Sequence, residues 1–173
     1  MMMTVVLIAI ILGAVGLDQL TKLLAVRYLE PIGSYPLWQN VLHLTFVKNE
    51  GAAFGMLSNH RWVFMVFSTI AIVGLSVYLF RFCKENKWVK VALAMIIGGG
   101  IGNMIDRIAL GYVVDFVDFT LIHFAVFNVA DSFVSVGAVM LAIWFLRSMI
   151  LEYRNEKKKK AGADPEDQDD GTH

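Results

Sequence analysis

Residues 89–108 read VKVALAMIIGGGIGNMIDRI, and this stretch decides the fold. Roughly 20 mostly apolar residues suffice to cover about 30 Å of hydrocarbon, so the segment predicts a membrane-crossing helix. It is apolar from Val91 to Ile101, then gathers Asn103, Asp106 and Arg107 near one end. The glycine run within it is no nucleotide loop, because no strand precedes it and G-x-G-x-x-G is absent. Gly98 and Gly102 instead form a small-xxx-small pair suited to close helix packing.

Working outward, three further segments have the same character, at about 3–26, 62–80 and 128–150. The 173 residues are 57% hydrophobic and only 17% charged, with a mean hydropathy of +0.62. A soluble domain carries roughly a quarter charged residues. The net charge is zero, so no basic footprint for nucleic acid is present. The first segment has a small-residue site at Ala14-Val15-Gly16, as a cleavable leader does. It lacks a basic leading region, however, and stays apolar through Val26 beyond Asp18 and Lys22. A retained span is expected.

The predicted architecture is an all-α polytopic membrane protein with four transmembrane helices over residues 1–151. A small extracytoplasmic β element is expected within 28–60 and a short interfacial segment over 111–119. Residues 152–173 turn from basic to acidic and read as a charged, disordered tail. Arg81, Lys84, Lys87 and Lys90 lie between spans two and three, and Arg154 and Lys157 to Lys160 follow span four. Lysine and arginine excess marks the cytoplasmic side, so both termini are expected inside.

With that topology the intramembrane polar residues share one depth. Asp18 and Lys22, then Asn103, Asp106 and Arg107, then Asn128 and Asp131, all fall near the outer ends of their spans. Such residues are costly in lipid and mark functional sites. A proton or ion pathway would need polar groups along the whole depth, whereas this clustering describes a site. Asp18 and Lys22 are spaced to pair on one helix face. Asp131 lies between Phe127-Asn128-Val129-Ala130 and Phe133-Val134, with no basic residue near in sequence.

In the connections, residues 41–47 alternate apolar and polar side chains as a half-buried strand does. Asn49-Glu50-Gly51 then reads as a turn. Two carboxyls sharing a proton activate water directly, one as base and one as acid. Asp131 is one candidate, and Asp106, Asp115 and Asp118 are possible partners. Asp106 adjoins Arg107, which offers it a structural role, and the apolar neighbours of Asp115 favour it slightly over Asp118. Cys83 has no histidine near it in sequence and reads as a small apolar residue. His43, His60 and His123 form no nucleophile–base or metal-ligand pattern.

Four motifs now carry a resemblance. Asp18-Gln19-Leu20-Thr21-Lys22 fits D-Q-x-[ST]-K, and Asn49-Glu50-Gly51-Ala52-Ala53-Phe54-Gly55 fits N-x-G-A-A-[FW]-G. Gly102-Asn103-Met104-Ile105-Asp106-Arg107 with Val113-Val114-Asp115-Phe116 fits G-N-x-x-D-R…V-V-D-F. Phe127-Asn128-Val129-Ala130-Asp131-Ser132 fits F-N-x-A-D-[SA]. In this order they resemble lipoprotein signal peptidase (signal peptidase II), an aspartic peptidase family, up to about Ile150. The resemblance implies that Asp115 and Asp131 are the catalytic dyad. It implies that Asn49, Gly51, Asn103, Arg107, Asn128 and Ala130 bind substrate or orient the dyad, while Asp18, Lys22, Phe54 and Asp106 support the site. It further implies diacylglyceryl-modified prolipoprotein substrates in contact with membrane lipid at the bacterial cytoplasmic membrane. No metal, cofactor or obligatory protein partner is implied. A small proton-coupled transporter and a non-catalytic assembly subunit are the alternatives. A presenilin-like site is not supported, since G-x-G-D is missing.

Overall fold

The computed structural model describes residues 2–51 and 61–161. Among these described residues, four helices are long and apolar enough to cross a membrane: Met2–Leu29, Met65–Phe82, Lys87–Ala109 and Val129–Lys158. In detail α1 is Met2–Leu24 and runs on as a π-helical turn, Ala25–Leu29; α2 is Arg61–Val77, extended likewise by Tyr78–Phe82. α3 is Lys87–Ala109 and α4 is Val129–Ala161. Residues such as Leu12, Phe67 and Val139 point outward and are exposed. Helices apolar on their outer faces as well as their inner ones belong in lipid.

α3 is the central helix, packed against α1, α2 and α4. Its glycines allow this. A methyl group at Gly98 would sit 2.8 Å from the Ala14 side chain, and one at Gly102 would sit 2.5 Å from the Asp18 carboxylate. On the neighbouring face, a methyl group at Gly99 would collide with the Ala130 carbonyl. Small residues let helix backbones approach where lipid supplies no hydrophobic drive to association. The Gly98/Gly102 pair expected from sequence thus packs on α1, and Gly99 admits the start of α4. Cys83 is buried among Leu7, Leu79, Val89 and Leu93, consistent with its apolar reading.

Three strands form an antiparallel sheet at the end of the bundle where α3 finishes and α4 begins: β1 (Ser34–Trp38), β2 (Leu42–Asn49) and β3 (Val113–Asp118), in that order. β1 is fully exposed, and Pro36 suits an edge position because it has no N–H to donate. The segment expected to lie separately in the interface is instead β3. It pairs with β2 through Val47↔Asp115 and Asn49↔Val113, among others. Its alternation was masked because Val113, Val114, Asp115 and Phe116 are all buried, so both faces of the strand are covered. Val114 and Phe116 pack with Ala25 and Leu29 in a small second core. Side chains alternate along a strand, so Asp115 faces the other way, and Asp118 lies on the face opposite Asp115.

α4 continues through Ala161, so residues 152–161 are helical where sequence predicts disorder. Glu152, Arg154, Glu156, Lys157 and Lys158 are strong helix formers, and the lysines suit the negative end of the helix dipole. Residues 162–173 lie outside the described residues.

Candidate active site

The N-terminus of α4 is built by a reciprocal cap. The side-chain oxygen of Asn128 accepts the Asp131 N–H at 2.9 Å, and Asp131 Oδ2 accepts the Asn128 N–H at 3.2 Å. This is the capping-box geometry, in which residues three apart satisfy each other's backbone donors. The intervening Ala130 N–H donates to Asp18 Oδ1 of α1 at 2.9 Å. A carboxylate at this end also complements the helix dipole. Ala130 is fully buried, because α4 meets Gly99 of α3 there.

Behind the cap lies a buried ionic cluster. The Lys22 ammonium contacts Asp18 Oδ2 at 2.9 Å, Asp106 Oδ2 at 3.0 Å and Asn103 Oδ1 at 2.8 Å. Each of its three N–H donors therefore has an acceptor. The Asp106 ion pair is with Lys22, from a different helix, whereas sequence pointed to its neighbour Arg107. Residues adjacent on a helix do not face one another, so Lys22 makes the contact pair while the charge of Asp106 still acts on Arg107. Asp106 also accepts the Val114 N–H at 3.0 Å, tying α3 to β3. Gln19 donates to Asp106 Oδ1 at 2.9 Å and to the Gly102 carbonyl at 3.1 Å. Sequence reasoning quoted Gln19 within a motif without giving it a role. Its position beside Asp18 was the available signal.

In front of the cap, Asp115 and Asp131 open into one groove of about 720 Å³, which Asn49 and Arg107 also line. Asp115 Oδ1 accepts from Asn128 Nδ2 at 2.6 Å and Asp115 Oδ2 from Asn49 Nδ2 at 2.8 Å. Asp131 Oδ1 accepts from Asn103 Nδ2 at 2.7 Å, beside its Oδ2 contact within the cap. Every oxygen of the two carboxyls thus holds an amide donor. Gly51 donates its N–H to Asn49 Oδ1 at 3.1 Å, turning the Asn49 amide nitrogen toward Asp115. Arg107 donates to the Asn103 carbonyl at 3.3 Å and feels the charges of Asp131, Asp115 and Asp106. Phe54 falls outside the described residues.

The remaining candidates separate clearly. Asp118 accepts from Thr45 Oγ1 at 2.9 Å, and Asp106 is committed to Lys22. Burial pushes the Asp115 carboxyl up to about 6, and the charge of Asp131 adds to the rise. The hydrogen bonds from Asn49 and Asn128, with the field of Lys22, hold it down. The rest of the groove lining is mostly apolar, with Phe119, Ile122, Phe124, Phe127 and Val136, and includes Ser132 and Ser135. Of these residues sequence reasoning quoted Phe127 and Ser132 within the last motif and Phe119 at the end of the 111–119 segment, without giving them a role; Ile122, Phe124, Ser135 and Val136 carried no signal beyond their place in the chain. Among the described residues, no three His, Cys, Asp or Glu side chains converge as a metal site.

The chain matches the family model of signal peptidase (SPase) II over residues 10–147. It is 53% identical to a lipoprotein signal peptidase of Caldanaerobacter subterraneus subsp. tengcongensis, over 78% of this chain and 91% of that protein. To the lipoprotein signal peptidase of Brevibacillus brevis it is 46% identical, over 75% and 87% respectively. A solved bacterial membrane enzyme, determined by the in meso method at 2.3 Å, superposes with a TM-score of 0.76 and 31% identity. That match covers 83% of this chain and 89% of the other. The buried polar end of a four-span bundle, its motifs and these relatives agree: the chain belongs to the signal peptidase II family of aspartic peptidases.

Proposed function

We propose that the chain removes the signal peptide from diacylglyceryl-modified prolipoproteins, cutting just before the lipidated cysteine, with Asp115 and Asp131 as the catalytic dyad. The observation that carries this reading is that both carboxyls open into one groove while Asp18, Asp106 and Asp118 are engaged elsewhere. In the reactive state the pair shares one proton, and it titrates as a unit. A water between them loses a proton to the ionised carboxylate as its oxygen attacks the scissile carbonyl carbon. The protonated carboxyl gives its proton to the carbonyl oxygen, forming a neutral tetrahedral diol. Collapse returns a proton to the departing cysteine nitrogen and restores the shared one. Arg107 and the amides of Asn49 and Asn103 hold the peptide backbone and fix the carboxyl orientations.

The excess of basic residues at the α2–α3 connection and at the end of α4 supports a cytoplasmic side there and an outer-face position for the aspartates. There the lipid on the substrate cysteine anchors the scissile bond at the depth of the dyad. The apolar groove walls accommodate the signal helix and the lipid. The test is cleavage by purified protein of one prolipoprotein with and without its diacylglyceryl group. Cleavage of the modified form alone, with a new N-terminus at the lipidated cysteine, is expected. Equal cleavage of both forms, or a cut elsewhere, contradicts the substrate assignment.

A further inference from the structure

The opposite end of the bundle holds a second cavity, about 640 Å³, between the start of α3 and one face of α4. Its chemistry is graded along α4. Along α4 the lining runs from Met140 and Ile143 past Trp144 to Arg147 and Ser148, with Leu151 one turn further, and Trp88 faces in from the start of α3. Among the described residues, neither the Arg147 guanidinium nor the Ser148 hydroxyl makes an ion pair or side-chain hydrogen bond. Arg147 is exposed on an outward face of a membrane-crossing helix. A cation there is costly without an anion beside it. Arg154 shares an adjoining hollow with Arg147. The two lie two turns apart on one face, about 10 Å along the axis. Glu85, Glu152 and Glu156 belong to the same end, but none is paired with either arginine.

We propose that this groove binds an anionic glycerophospholipid. Its phosphate diester sits on the Arg147 guanidinium, which can donate two parallel N–H bonds. The Ser148 hydroxyl adds a third donor. The glycerol region lies between the two indoles, whose amphipathic rings favour headgroup depth. An acyl chain runs along Met140 and Ile143. The charge complementarity selects this occupant over a neutral lipid of the same shape, as basic pockets between membrane helices do.

Trp88 and Trp144 report occupancy directly. The full chain carrying Trp38→Phe and Trp62→Phe is placed in phosphatidylcholine vesicles with a minor fraction of brominated phosphatidylglycerol. A parallel set carries brominated phosphatidylcholine instead. The anionic lipid is expected to quench the indoles in preference by about fivefold per engaged arginine. Arg147→Gln reduces that preference about fivefold. Lys157→Gln with Lys158→Gln, on the exposed continuation of α4, leaves most of it. Retained helicity and cleavage show that each variant is folded. Equal quenching by the two lipids overturns the proposal, as does a preference that survives Arg147→Gln. A preference lost equally in the lysine variant marks diffuse surface charge and also overturns it, and protection of both indoles by self-association marks a protein interface instead.

Discussion

The Lys22 ammonium donates to the side-chain oxygen of Asn103 across 2.8 Å, and this bond sets the direction of two amides. With its oxygen held by Lys22 and by Asn128 Nδ2 at 3.0 Å, Asn103 turns its nitrogen to Asp131. Asn128, with its oxygen on the Asp131 N–H, turns its nitrogen to Asp115. A buried cation distant in sequence from both carboxyls therefore orients the donors that hold them.

Lys22→Met removes that cation and leaves Asp18 and Asp106 buried without it. Breaking a buried ion pair from one side costs about 3–5 kcal/mol. Thermal unfolding in detergent is expected to show a loss of that size, and Asp106→Asn a smaller one because Lys22 keeps Asp18. Equal losses would show that Lys22 and Asp106 are bound only to each other.

Asn128 has two separable roles. Serine caps a helix nearly as well as asparagine but cannot reach Asp115 with an amide. Asn128→Ser should keep the cap and lose about 1–3 kcal/mol through the buried acceptors its amide leaves, on Asn103, Val114 and Asp115. Its kcat/KM should fall about tenfold to hundredfold through the lost bond to a carboxylate. Asn128→Ala should lose both. Full activity in the serine variant would remove the Asn128–Asp115 bond from the account.

The raised Asp115 pKa fixes a pH dependence. The folded carboxyl titrates at about 6 against an ordinary 3.8, so the folded chain holds more protons in that window and loses stability as pH rises through it. A shift of this size corresponds to about 3 kcal/mol. Asp115→Asn should therefore gain melting temperature on wild type as pH rises from 4 through about 6 and hold that gain above it, measured in parallel. A constant difference across the window would contradict the shift. Asn49 holds the pKa down, so Asn49→Ala should move the alkaline limb of the cleavage profile to higher pH.

Much of this was legible in sequence, for identifiable reasons. Four spans follow from hydropathy, and the shared depth of Asp18, Asn103, Asp106, Asn128 and Asp131 follows from where each span carries its polar end. The cap is visible as Asn128-Val129-Ala130-Asp131. Which of Asp106, Asp115 and Asp118 shares a groove with Asp131 was not legible from the residues alone, because it depends on strand register and on the Lys22–Asp106 pair. Lys22 has a nearer partner in Asp18, and that pairing concealed the second. Likewise β3 carries no clean alternation, since it is covered on both faces.

The glycines give a packing test. Gly102→Ala drives a methyl group against the Asp18 carboxylate, whereas nothing lies within 4 Å of a methyl group at Gly13. Overpacking of this kind costs about 1–3 kcal/mol. Unfolding should show that loss for Gly102→Ala and none for Gly13→Ala. Equal stability of the two would mean that α1 and α3 sit further apart.

The dyad itself is tested by cleavage of a diacylglyceryl-modified prolipoprotein with wild type, Asp115→Asn, Asp131→Asn and Asp118→Asn, each checked for folding and lipopeptide binding. Loss of cleavage in the first two variants, with binding kept and Asp118→Asn active, is the predicted result. Near-normal cleavage by either Asp115→Asn or Asp131→Asn would contradict the assignment.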